Sequence, residues 1–151
     1  DLDGKFEVIG YLQLLSGFIS EGKLKISSPA MKNITITSHD PCYLGRANEL
    51  YDEPRHVLEN LSGRLKEMER SKSFALCCGA GGAQMFKEAE KGEKEIFIER
   101  TEDALKAGAS VIATACPFCM TMLTDGLKYK NKEEEIKNYD IAELVAQAIG
   151  L

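Results

Sequence analysis

Short β-branched runs alternate with helix-patterned segments along most of this chain, and that alternation restricts it to a layered α/β fold. "NITITSHDPC" begins as an alternating strand and stops at Asp40-Pro41, which delivers Cys42 at its C-terminal end. Glu53–Leu61 returns to helical spacing, with Pro54 suited to a first helical turn. A weaker strand is predicted at Leu65–Glu69, ahead of a loop to "FALCCGAGGA". Residues 83–107 read as one long helix or as two broken near Gly92. "ASVIATACPFC" is the clearest buried strand; it stops at Cys-Pro and hands over to the helical "MTMLTDGLKYK". A last strand near Ile136–Tyr139 leads into "DIAELVAQAIG", where Asp140 is a good N-cap with Glu143 three residues on. Strands separated by helices pair in parallel, so the expectation is an α/β fold: a mostly parallel four-stranded sheet with helices on both faces.

Length and charge narrow the class further. A chain of 151 residues suits one main domain. Residues 1–33 are expected to be an N-terminal helical segment, with a helix over 6–20 stopping at Glu21-Gly22-Lys23, belonging to the end of a larger protein. Residues 34–151 form the domain proper. The net charge of −5 and the interspersed signs exclude a nucleic-acid footprint. No stretch approaches the roughly 20 apolar residues that span a bilayer, and the start carries no signal-peptide pattern. Direct membrane insertion is therefore not expected, and the localisation expected is cytoplasmic, with membrane association only through partner subunits.

Five cysteines, Cys42, Cys77, Cys78, Cys116 and Cys119, fall in three groups, each beside Gly or Pro. Ligands of open parallel sheets sit outside the carboxyl ends of the strands. Cys42 follows the first strand, Cys77 and Cys78 follow the second, and Cys116 and Cys119 follow the third, so all are expected at one sheet edge. A single zinc needs four ligands, and CPFC has the two-residue gap that zinc sites favour. The adjacent pair argues for something larger, because neighbouring side chains diverge and suit two metal atoms better than one. Soft thiolates select zinc, copper(I) or iron–sulfur clusters, and five of them fit an iron–sulfur cluster better. The glycines Gly79, Gly81 and Gly82 then let the backbone approach and aim N–H groups at sulfur.

"HDPCYLGR", "CCGAGG" and "ATACPFC", in this order and spacing, resemble the cysteine-rich CCG domain found in heterodisulfide reductase and in related iron–sulfur oxidoreductases, including the iron–sulfur subunits of glycolate and lactate oxidation systems. The resemblance covers about residues 34 to 150. It implies that the five cysteines ligate a four-iron four-sulfur (4Fe-4S) cluster, which in this family can be non-cubane, with zinc as an alternative in some members. It also implies a part in an oxidoreductase that transfers electrons or reduces a disulfide or small substrate. The partners implied are other redox modules: ferredoxin-like, flavoprotein or quinone-linked. A zinc-stabilised, non-catalytic docking domain of a redox complex is the competing class.

Several residues beside the cysteines admit more than one role. CPFC also resembles a thiol–disulfide oxidoreductase site, yet that reading uses only two of five thiols. His39 is placed to donate to a cluster sulfur, to act as an extra ligand, or to be a satisfied structural residue. Arg46 is read as an anion or thiolate partner or as a surface ion pair, Arg100 and His56 as solvated, Met120 and Met122 as packing, and Asp40 and Pro41 as turn formers.

Overall fold

A computed structural model describes residues 4–26, 31–61, 63–89 and 91–151. Residues 1–3 and 27–30 of the expected N-terminal segment lie outside the described residues. Four strands, β1 (Thr35–Ser38), β2 (Arg64–Leu65), β3 (Val111–Thr114) and β4 (Lys137–Asp140), form one sheet in the order β2-β1-β3-β4, with every neighbouring pair parallel. Register is set centrally by Ile36 opposite Val111 and Ser38 opposite Ala113. The helices are α1 (Tyr11–Ser20), α2 (Gly45–Asn48), α3 (Asp52–Asn60), α4 (Ile96–Ala107), α5 (Pro117–Tyr129) and α6 (Ile141–Ile149).

All four β3 residues are buried because helices cover both faces of the sheet. On one face Ile36, Val111 and Ala113 pack with Leu12 of α1, Val57 and Leu58 of α3, and Ile141, Leu144 and Val145 of α6. On the other, Ile112 packs with Met68, Ala104 and Ala107 of α4, and Leu123 and Leu127 of α5. Val111 and Ala113 facing one way and Ile112 the other is the two-residue period of a strand. Each large aliphatic side chain so buried stabilises the fold by roughly 1.5–3 kcal/mol. The α4–α5 contact is close because position 126 has no side chain: a Cβ on Gly126 would lie 1.9 Å from Thr101 Oγ1.

Several boundaries differ from the sequence expectation. The first helix begins at Tyr11, leaving Phe6, Val8 and Ile9 exposed before it. The second strand is two residues long, Arg64–Leu65, because Lys66–Glu69 turn away from the sheet edge, where Met68 joins the α4–α5 core. Residues 83–107 form neither one helix nor two α-helices: a 3-10 segment, Gly81–Phe86, is followed by irregular chain and then α4. Gly82 and Ala83 sit at positive φ and break helical continuity there. The short α2 beyond Cys42 has no counterpart in the sequence expectation. At the other end of the chain, Asp140 caps α6 as expected: its carboxylate accepts from Ala142 N at 2.8 Å, and Glu143 accepts from Asp140 N at 2.8 Å.

The strand order fixes where a site can form. From β1 the chain moves outward to β2, then crosses back to β3 on the other side of β1. The reversal opens a crevice at the carboxyl ends of β1 and β3. His39 and Asp40 emerge from the first of these and Cys116 from the second.

Candidate metal centre at the sheet switch point

Cys78 and Cys119 meet in this crevice. Their sulfurs and a ring nitrogen of His39 all lie within 4.8 Å of one another, and all three residues are buried. Cys116 and Cys77, both half-buried, pack against the same group, with Met85 and Met122 closing it. Cys42 is exposed, and shares a narrow cleft with Cys77, lined also by Asp40, Arg46, Lys72 and Ala75. The vicinal pair thus diverges: Cys78 turns inward to His39 and Cys119, while Cys77 faces the cleft of Cys42. All five thiols are free, and all lie at one edge of the sheet.

Local structure explains each placement. Cys116 is the N-cap of α5, Pro117 occupies the first turn without needing an N–H donor, and Cys119 follows one turn on. Gly79 adopts φ +91°, left-handed backbone that turns the chain away after Cys78. A Cβ there would come 3.3 Å from Phe97 N, so the turn also packs tightly on the start of α4. The Gly79 N–H donates to Cys77 Sγ at 3.4 Å. Gly81 and Gly82 are exposed and have open space around them.

The electrostatics favour thiolate at the centre. The Cys119 thiol bonds to Cys78, and that bond, with help from His39 and the Ala80 N–H, holds the Cys78 thiol well below its usual range against the opposing effect of burial. The same bond and burial push the Cys119 thiol up. Burial pushes His39 down, so its ring is neutral. The donor set is soft sulfur with one imidazole beside it, as an iron–sulfur cluster or zinc requires. Since Cys119 engages Cys78, CPFC does not stand as an isolated dithiol.

Two buried ion networks clamp the loops that carry these residues. Asp40 accepts both Arg55 Nη1 and Nη2, at 2.8 and 3.1 Å, and also the Lys72 N–H at 2.7 Å, while Arg55 reaches on to Glu67 at 2.6 Å. Burial would raise the Asp40 pKa, and the Arg55 bonds outweigh it to hold the carboxyl below the usual range. Asp40 is therefore a buried charge partner as well as a turn residue. In the second network Arg70 forms a bidentate pair with Asp103, at 2.8 and 2.9 Å, and reaches Glu99 at 2.7 Å. Arg46 Nη2 donates to Ala75 O at 2.6 Å and ties α2 to the segment before Cys77, in place of an ion pair.

Two further expectations are corrected. Arg100 is not solvated but fully buried: its guanidinium reaches Arg70 O at 2.6 Å, Asp103 at 3.3 Å and His39 Nδ1 at 3.0 Å. Its position in phase with Ala104 and Ala107, both in the core, was the available signal. His56 is half-buried, its Nδ1 2.8 Å from Ser16 Oγ, because α1 packs over α3. Arg55, Arg70 and Asp103 were missed, since charged residues on amphipathic helices read as solvent-facing.

With this geometry established, similarity to known proteins becomes informative. Residues 36–124 match the profile of the family described as "Cysteine-rich domain", CCG. The chain is 47% identical over 144 residues to a "Probable iron-sulfur-binding oxidoreductase FadF" of Bacillus subtilis, covering 95% of this chain and 20% of that protein. It is 41% identical to an "EtfAB:quinone oxidoreductase" of Syntrophomonas wolfei, covering 98% and 21%. It is 40% identical to one subunit of the "Dihydromethanophenazine:CoB--CoM heterodisulfide reductase" of Methanosarcina barkeri, covering 97% and 35%. The chain therefore spans between about a fifth and about a third of the length of the curated relatives it matches. Those relatives support an iron–sulfur redox role, and among the described residues no helix is long and apolar enough to cross a membrane. The three cysteine motifs, their meeting at the switch point and the profile match agree that this chain belongs to the cysteine-rich CCG domain family.

Proposed function

We propose that this domain holds a four-iron four-sulfur cluster through Cys42, Cys77, Cys78, Cys116 and Cys119, and acts as the electron-transferring or substrate-reducing part of a larger oxidoreductase. The observation that carries the reading is the meeting of Cys78 and Cys119 beside Cys77 and Cys116, with Cys42 in the adjoining cleft. Five thiolates exceed the four that a cubane takes, which favours a non-cubane cluster. When bound, such a cluster supplies one-electron chemistry and, at an iron with an open position, a place for a substrate sulfur.

The chain's own residues prepare the site. Cys78 is held ready as thiolate by Cys119, and the N–H groups of Gly79 and Ala80 direct positive ends at sulfur. Asp40 with Arg55, and Arg46 with Ala75 O, fix the loops so that the thiols need not be gathered anew on binding. Reduction of a disulfide takes two electrons and two protons to give two thiols, so one-electron steps require an external donor. From the relatives' names, that donor is a flavoprotein, a ferredoxin-like module or a quinone-linked subunit. Redox titration of the chain loaded without oxygen, followed by electron paramagnetic resonance, tests the role. A reversible one-electron signal is expected; a redox-silent site with bound zinc would instead mark a docking domain.

A further inference from the structure

We propose that Arg100 locks His39 with its ring proton on Nε2, so that His39 is a hydrogen-bond donor to the sulfur centre and not a metal ligand. In its second half this rests on the proposed cluster; the tautomer is a property of the metal-free fold.

Polarity decides the matter. Arg100 Nε donates to His39 Nδ1 at 3.0 Å, and the guanidinium is completely buried. Asp103 at 3.3 Å and Arg70 O at 2.6 Å compensate its charge, and a guanidinium has N–H donors and no acceptor. The lone pair of His39 must therefore face Arg100 from Nδ1. A neutral imidazole has one acceptor and one donor nitrogen, so the proton sits on Nε2. An imidazolium would set N–H against N–H in a buried site.

Nε2 meets no oxygen or nitrogen partner within hydrogen-bond distance and is completely buried. Leaving it unpaired would cost about 1–3 kcal/mol. With Nδ1 committed to Arg100, Nε2 is the nitrogen left for the nearby sulfurs of Cys78 and Cys119. A metal-ligating histidine has the opposite arrangement: its second nitrogen carries the proton and donates it to a carboxylate or carbonyl. Here the outer partner is a cation that only donates. Ligation through Nε2 would require moving the proton to Nδ1, against Arg100. Donors to cluster sulfur stabilise the more negative, reduced state, so His39 raises the potential.

The test uses the chain with ¹⁵N-labelled histidine, which gives only two ring systems because the sequence has two histidines. In reduced, metal-free protein, NMR of the His39 ring is expected to find the Nε2–H tautomer; Nδ1–H would overturn the proposal. In protein loaded with iron and sulfide, electron–nuclear spectroscopy is expected to find no strongly coupled histidine nitrogen. His39→Gln, which keeps an N–H near the Nε2 position, should retain both iron content and potential. His39→Leu should retain iron and shift the potential downward. An iron-bound histidine nitrogen, or loss of iron in His39→Gln, would refute the assignment. Should the chain take up no iron, the proposed function falls, and the metal-free NMR result alone decides the tautomer.

Discussion

Arg55→Met isolates the clamp that holds the Cys42 loop. The Arg55 and Asp40 side chains are only 7% and 4% exposed. The substitution removes both charged bonds to Asp40 and leaves its carboxylate with the Lys72 N–H at 2.7 Å. Glu67, at 39% side-chain exposure, is solvated and loses little. A buried charge deprived of its partner costs about 3–5 kcal/mol, against a typical total of about 5–15 kcal/mol. With an m-value near the upper end of about 1–3 kcal/mol per molar, the urea midpoint should fall by roughly 1–2 M at pH 7. The pH dependence has a definite sign. Arg55 depresses the folded pKa of Asp40, so its stabilisation is present above the unfolded carboxylate pKa and is lost as pH falls through the folded one. The gap between wild type and variant should therefore shrink in acid, and Asp40→Asn in the Arg55→Met background should recover most of the loss. A deficit below about 1 kcal/mol at pH 7, or one that widens in acid, would refute this reasoning.

Further outcomes follow from single contacts. Gly126→Ala should destabilise the fold by about 1–3 kcal/mol through the clash with Thr101, partly offset by about 1 kcal/mol of better helix propensity; a gain in urea midpoint would contradict the packing. Asp140→Ala should cost about 0.5–2 kcal/mol from the lost α6 cap, read by thermal unfolding. In reduced, metal-free protein a bulky alkylating reagent should reach the exposed Cys42 first and the buried Cys119 last, as peptide mass spectrometry would report. Early modification of Cys119 would mean that the centre is open.

Much of this was legible because local and global signals agree. The β-branched run at Val111–Thr114 ends in Cys-Pro, and the same residues make the buried central strand and the start of α5. That the three cysteine motifs converge followed from parallel topology alone, since each follows a strand on the same edge. What was hidden depended on tertiary contacts. Residues 83–95 have helix-forming composition, yet positive φ at Gly82 and Ala83 and the packing of Gly79 on α4 override it. Arg100 and Arg55 look like surface charges until their buried acceptors, Asp103 and Asp40, are brought into place by the fold. His39 could not be assigned a role from spacing, because its polarity is set by Arg100, 61 positions away.

The most direct measurement is the iron, acid-labile sulfide and zinc content of the chain produced and kept without oxygen, together with its visible absorption. A cluster held by the five thiols predicts about four iron atoms and about four sulfides per chain, with visible colour that is lost when Cys78 or Cys119 is replaced by serine. One zinc per chain, no iron and a colourless protein would contradict it.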